Sequence, residues 1–134
     1  MKNTFFLISL IWIITSCGSK SDSELLIGTW KEDEFIYLSD LTPVLPYDEF
    51  GYETTIDTYD GKNKSGHSIW YGSPSETYTS TYTIDETSKK LTTSDQYGEI
   101  VYDYNFPDEN TLILTFTIDN KKRKATYTRQ NEGD

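Results

Sequence analysis

Thr77-Tyr78-Thr79-Ser80-Thr81-Tyr82-Thr83-Ile84 alternates without a break between threonine and a second residue that is tyrosine, serine or isoleucine. A period of two sends successive side chains to opposite faces of a strand, and β-branched and aromatic residues suit a half-buried pleated surface. The rhythm returns downstream. Ile100-Tyr102-Tyr104-Phe106 alternates with Glu99, Val101, Asp103 and Asn105, and Leu112-Leu114-Phe116-Ile118 alternates with Thr111, Ile113, Thr115 and Thr117. Pro107-Asp108-Glu109-Asn110 and Asp119-Asn120 are turn sequences. Ala125-Tyr127-Arg129 closes the series.

The same reading extends upstream. Phe50-Tyr52-Thr54-Ile56-Thr58 against Gly51-Glu53-Thr55-Asp57 predicts a strand that turns Tyr52 and Ile56 inward. Leu26 to Tyr37 is a further strand, and the apolar phase changes between Trp30 and Phe35, which predicts a bulge. His67 to Tyr71 and Leu91 to Thr93 are short strands flanked by polar turns. About eight strands with one apolar face imply an all-β sandwich or closed barrel, and hairpin-length turns between neighbours favour a single antiparallel up-and-down barrel. Closure leaves no edge to aggregate, which matters for a chain so rich in strand-forming residues. The composition agrees: the chain has 11 tyrosines and little alanine. One connection, Leu38 to Glu49, is too long for a hairpin turn and carries Leu41, Val44 and Leu45. It is expected to form a flap over one end.

The amino terminus carries a different signal. Lys2 precedes an apolar run from Phe5 to Ile14, and Thr15-Ser16-Cys17-Gly18 follows. A basic start, a short apolar segment and small residues at its end are the marks of a secretory signal peptide. Cys17 is the only cysteine, so no intrachain disulfide can form. The string Ile14-Thr15-Ser16-Cys17 resembles a bacterial lipobox. That resemblance implies cleavage before Cys17 and lipid on its sulfur and new amino group. Several acyl chains, at about 0.8 kcal/mol per buried methylene, anchor a domain durably. The expected organisation is a signal peptide over 1–16, the lipidated cysteine and a flexible tether over 17–25, the barrel over 26–130 and a disordered tail over 131–134. The expected location is the bacterial cell envelope, on the periplasmic or outward side of the outer membrane.

The 134-residue chain has a formal charge of −10, and removing residues 1–16 takes away one basic residue, Lys2, leaving −11. Such acidity argues against nucleic acid as a partner, since phosphate recognition needs a basic surface. It permits a basic protein partner, and an inhibitor of a cationic envelope or host enzyme is the alternative function.

Gly28-Thr29-Trp30 on the first strand and Arg129 on the last resemble the lipocalin signature, in which an arginine packs on the tryptophan where the barrel shuts. The spread of these residues is similar to that of short lipocalin-like lipoproteins of Bacteroidetes. The resemblance implies that Gly28, Trp30 and Arg129 close the barrel. It also implies a small hydrophobic or amphipathic ligand held inside.

The strands are short, so the interior is small and either holds one ligand or is filled by its own side chains. The residues in phase with the inner face are Tyr52, Ile56, Tyr78, Tyr82, Tyr102, Tyr104, Leu114, Phe116 and Tyr127. Tyrosine brings an apolar ring with a hydroxyl that needs a partner when buried. Such an interior suits an amphipathic ligand or trapped water, unless the hydroxyls point out of the barrel ends.

Catalytic chemistry has few candidates. His67 is the one histidine, which removes histidine-rich metal sites and hydrolytic triads. Asp57, Asp60 and Asn63 miss the spacing of an EF-hand loop and read as an acidic turn. Glu99 and Asp103 share the polar face of their strand and are expected in solvent. No cofactor motif occurs, and a binding module rather than an enzyme is expected.

Overall fold

The computed structural model describes residues 19–44, 52–72 and 76–131, with the side chains of 52–53 and 67–72 left out of that description. The lipobox and signal segment therefore lie outside the described residues. After a short helix α1 (Asp22–Leu26) come eight strands: β1 (Gly28–Tyr37), β2 (Tyr52–Asp60), β3 (Ser65–Gly72), β4 (Glu76–Asp85), β5 (Lys90–Asp95), β6 (Gly98–Asp108), β7 (Thr111–Ile118) and β8 (Lys121–Gln130). Each pairs with its sequence neighbour, and β8 returns to β1, so the sheet is a closed antiparallel barrel. The predicted change of phase in β1 is a register shift between Glu32 and Glu34, which turns both Trp30 and Phe35 inward.

Closure is built where β1 meets β8. Trp30 stands opposite Arg129 in the register, and the guanidinium lies 4.2 Å from the indole centre. Arg129 donates from Nε to the Glu109 carbonyl at 2.9 Å, from Nη1 to Ile27 at 2.8 Å, and from Nη2 to Leu25. One planar cation thus ties the turn after β6 and the entry segment to the seam. Gly28 permits this. Its φ is +130°, and a Cβ there would meet Arg129 Nη1 at 2.7 Å.

The same end is plugged from within. Leu26, at the end of α1, is fully buried, and its carbonyl accepts the Trp30 Nε1–H bond at 2.9 Å. Leu91, Leu112 and Leu114 complete the apolar floor, each stabilising by about 2 kcal/mol when fully buried. Residues 22–25 were expected in a flexible tether, and here the structure differs. Ser21 caps Glu24 N–H while the Glu24 carboxylate accepts from Ser21 N–H, a capping box that starts a helix. Asp22 then binds Lys89 and the Tyr104 hydroxyl, and Ser23 binds Glu86, so the helix is stitched to the barrel floor.

At the opposite end, the chain after β1 folds back on itself. Tyr37 N–H donates to Thr42 O at 2.9 Å and Val44 N–H to Phe35 O at 2.8 Å. Val44 is buried in the core while Leu41 stays exposed. Residues 45–49 of the expected flap lie outside the described residues.

Candidate functional site

The inner faces of β1, β2, β4, β5, β6, β7 and β8, together with Gly66 of β3, enclose a chamber of about 140 Å³. It lies on the far side of the Trp30 floor, towards the β5–β6 turn. A recess of about 360 Å³ adjoins it and shares Tyr78, Thr93, Asp95 and Ile100 with it, adding Tyr97, Gly98 and Glu99. The recess is the mouth. Asp95 shapes it by accepting from the backbone N–H groups of Tyr97 (2.7 Å) and Gly98 (3.2 Å), which fixes the tight turn between β5 and β6.

Of the residues that the alternation placed inside, Tyr78, Tyr102, Leu114, Phe116 and Tyr127 line the chamber. Tyr82 and Tyr104 are buried but belong to the closed end: their hydroxyls donate to Asp60 O at 3.3 Å and to an Asp22 carboxylate oxygen at 2.7 Å. Two expected uses of tyrosine are therefore both present, four rings in the chamber wall (Tyr59, Tyr78, Tyr102, Tyr127) and two anchoring the floor. Ile56 is a correction. On β2 the chamber is lined by Thr55, Asp57 and Tyr59, so Ile56 falls on the outer parity. The side chain of Tyr52 lies outside the described residues, as does that of His67. Glu99 and Asp103 are exposed, and Asp103 pairs with Lys90. Asp60 binds Asn63 and the Lys62 N–H within its own turn, apart from Asp57.

The sequence reading missed Glu32. It is two residues past Trp30 on the same face, just before the bulge, and only 8% exposed. The register sets Glu32 opposite Tyr127 and Trp30 opposite Asp57, which brings Glu32 beside Thr55 and Asp57. Burial, and then the neighbouring Asp57 charge, push its pKa up to about 7. The Tyr127 phenol donates to it and opposes that rise. The Thr55 hydroxyl is near enough to oppose it too, yet Thr55 Oγ1 is buried and meets no partner in hydrogen-bonding geometry. Near neutral pH this carboxyl is poised between its two states. Around it burial raises the phenols, Tyr59 well above its ordinary value and Tyr102 to about 12, so they remain hydrogen-bond donors.

The fold and this chamber define an eight-stranded antiparallel up-and-down barrel with, among the described residues, a mouth beside the β5–β6 turn and a sealed end under α1. No protein-family model matches the chain, and no curated protein matches it in sequence. Among solved structures it is similar to fatty-acid-binding protein 1 of Echinococcus granulosus, at 13% identity over 81% of this chain and 99% of that one, with a TM-score of 0.49. It is also similar to a variant of the fluorescent protein UnaG, at 16% identity over 81% and 99%, with a TM-score of 0.47.

Proposed function

We propose that this protein is a lipid-anchored lipoprotein of the bacterial envelope whose barrel holds one small amphipathic molecule without converting it. The observation that carries the reading is the chamber itself, a walled space with phenols, carboxylates and phenyl rings on its surface and a mouth beside Asp95. A scaffold filled by its own side chains would bury those groups against one another. The enclosed volume of about 140 Å³ is close to that of an engineered cavity, about 150 Å³, that takes up benzene. The enclosed part therefore accepts a single ring or a short chain, with any remainder of the ligand in the recess.

Anchoring enters through Cys17. Three residues separate it from the helix cap Ser21, and a step of four residues spans at most about 14 Å. The helix is on the sealed end, so lipid on Cys17 would hold that end at the membrane and turn the mouth to the aqueous side. The test of the container is uptake of a neutral environment-sensitive dye, Nile red, followed by displacement with small aromatic alcohols. Saturable uptake at one site is expected, and it should be lost in Ser80→Phe, which fills the chamber from β4. Absence of saturable uptake, or equal uptake by the variant, overturns the reading.

A further inference from the structure

We infer that the molecule held in the chamber is an organic cation, an ammonium group on a ring or short chain, with its charge seated beside Glu32 and its body among the aromatic rings. This deepens the container reading and rests on it. The first observation is the charge of the wall. Among the described lining residues there are three carboxylates, Glu32, Asp57 and Asp95, and no lysine, arginine or histidine. Among the described residues the one buried cation is Arg123. It does not line the chamber, donates to the carbonyls of Ile118 (2.7 Å) and Lys121 (3.2 Å), and lies against the Tyr37 ring.

A second observation is Thr55, which lies beside the Glu32 carboxylate. Its Oγ1 lies in the wall, 4% of the residue is exposed, and nothing in the protein meets it in hydrogen-bonding geometry. A buried polar atom left this way is costly, and a ligand donor reaching it removes the cost. An ammonium brings three donors from one point, enough to meet Thr55 Oγ1 and the Glu32 carboxylate together.

The rings supply the rest. Tyr59, Tyr102, Tyr127, Phe35 and Phe116 all line the space. The negative faces of such rings attract a cation, most strongly where water is displaced. A carboxylate ligand would meet the carboxyl groups of Glu32, Asp57 and Asp95 and, among the described lining residues, no cation. A neutral ligand would gain from the rings but nothing from the acids. A bare metal ion is a poor match, because among the described residues no three acidic, imidazole or thiol groups gather closely enough to hold one. The acidic exterior also raises the local concentration of cations at the mouth.

The experiment is isothermal titration of the purified protein at pH 7.5 with three ligands that share a phenylethyl body: 2-phenylethylamine, 2-phenylethanol and 3-phenylpropionate. The amine should bind at least tenfold more tightly than the alcohol, and the carboxylate more weakly than either. Glu32→Gln should cut the advantage of the amine over the alcohol at least threefold while the alcohol is unaffected. Thr55→Val, which keeps the shape of the wall, should weaken the amine alone. An amine no tighter than the alcohol, an amine preference undiminished in Glu32→Gln, or no binding of any of the three overturns this inference. Nile red uptake measured on the same samples separates that result from failure of the container itself.

Discussion

Replacing Glu32 by glutamine should make the protein more stable in mildly alkaline buffer, and the size of the gain follows from where Glu32 sits. Its folded pKa is raised from 4.5 to about 7, first by burial and then by Asp57. Between those values the folded state binds more protons than the unfolded one, so stability falls as pH rises from 4.5 to 7 and is flat above. At about 1.4 kcal/mol per pH unit, the ionised Glu32 costs the folded protein roughly 3 kcal/mol at pH 8. Glutamine keeps the shape and an oxygen for the Tyr127 phenol, but its amide hydrogens need partners, a penalty of about 1 kcal/mol at every pH. The net gain at pH 8 is about 2 kcal/mol, and at pH 5 the variant should be slightly the weaker. Asp57, Asp95, Tyr59, Tyr102 and Tyr127 all share the chamber with Glu32 and are common to both proteins, so the difference between the two reads Glu32 together with its coupling to Asp57. Urea unfolding at half-unit steps from pH 5 to 8.5 reads it directly. Two curves that stay parallel across that range would refute both the burial of the charge and the position assigned to Glu32.

Arg129→Gln removes the contact with the Trp30 indole and the planar fork that reaches three carbonyls, and should cost about 3 kcal/mol in chemical denaturation; Arg129→Lys should recover little, because one ammonium cannot span them. Tyr104→Phe removes a donor from Asp22. Burial alone would raise the Asp22 pKa, but the bonds from Lys89 and Tyr104 outweigh it and hold the carboxyl below its ordinary value. That stabilisation is present above the unfolded pKa and lost as pH falls through the folded one. The variant should therefore be weaker by about 1 kcal/mol at pH 7 and equal to the parent in strong acid.

The strands that could be read were those facing apolar neighbours. In β4, β6 and β7 the inward positions carry Tyr82, Tyr104, Leu112 and Leu114, which form the floor, and their period of two is the period of burial. The strand β2 was read one residue out of phase because its inward face is not apolar. Thr55 and Asp57 point at the chamber, while Ile56 is on the outer parity. Glu32 was missed for the same reason: where a wall faces a polar space, the pattern inverts and the hydrophobic rule selects the wrong face. The helix α1 had a legible signal, since Ser21 and Glu24 stand at the spacing of a capping box. A polar, charged composition concealed it, because a five-residue helix buries only Leu26.

These errors have one cause, and it bears on function. A chain selected only to close a barrel would put leucine or valine at positions 32, 55 and 57, since taking polar and charged groups out of water costs the fold. This chain puts leucine in the floor, at 26, 91 and 112, and keeps glutamate, threonine and aspartate one layer above it. The sealed end is where the chain spends its packing: α1 covers it, Arg129 laces it, and Trp30 fills it. The other end keeps a turn held by Asp95 with Tyr97 largely exposed beside it. Stability is concentrated beside the proposed anchor and polarity beside the mouth, so opening the mouth to admit a ligand need not loosen the seam that holds the barrel shut. An exchange route through the sealed floor would have to break the Arg129 lacing, whereas exchange at the β5–β6 turn disturbs only two backbone bonds to Asp95.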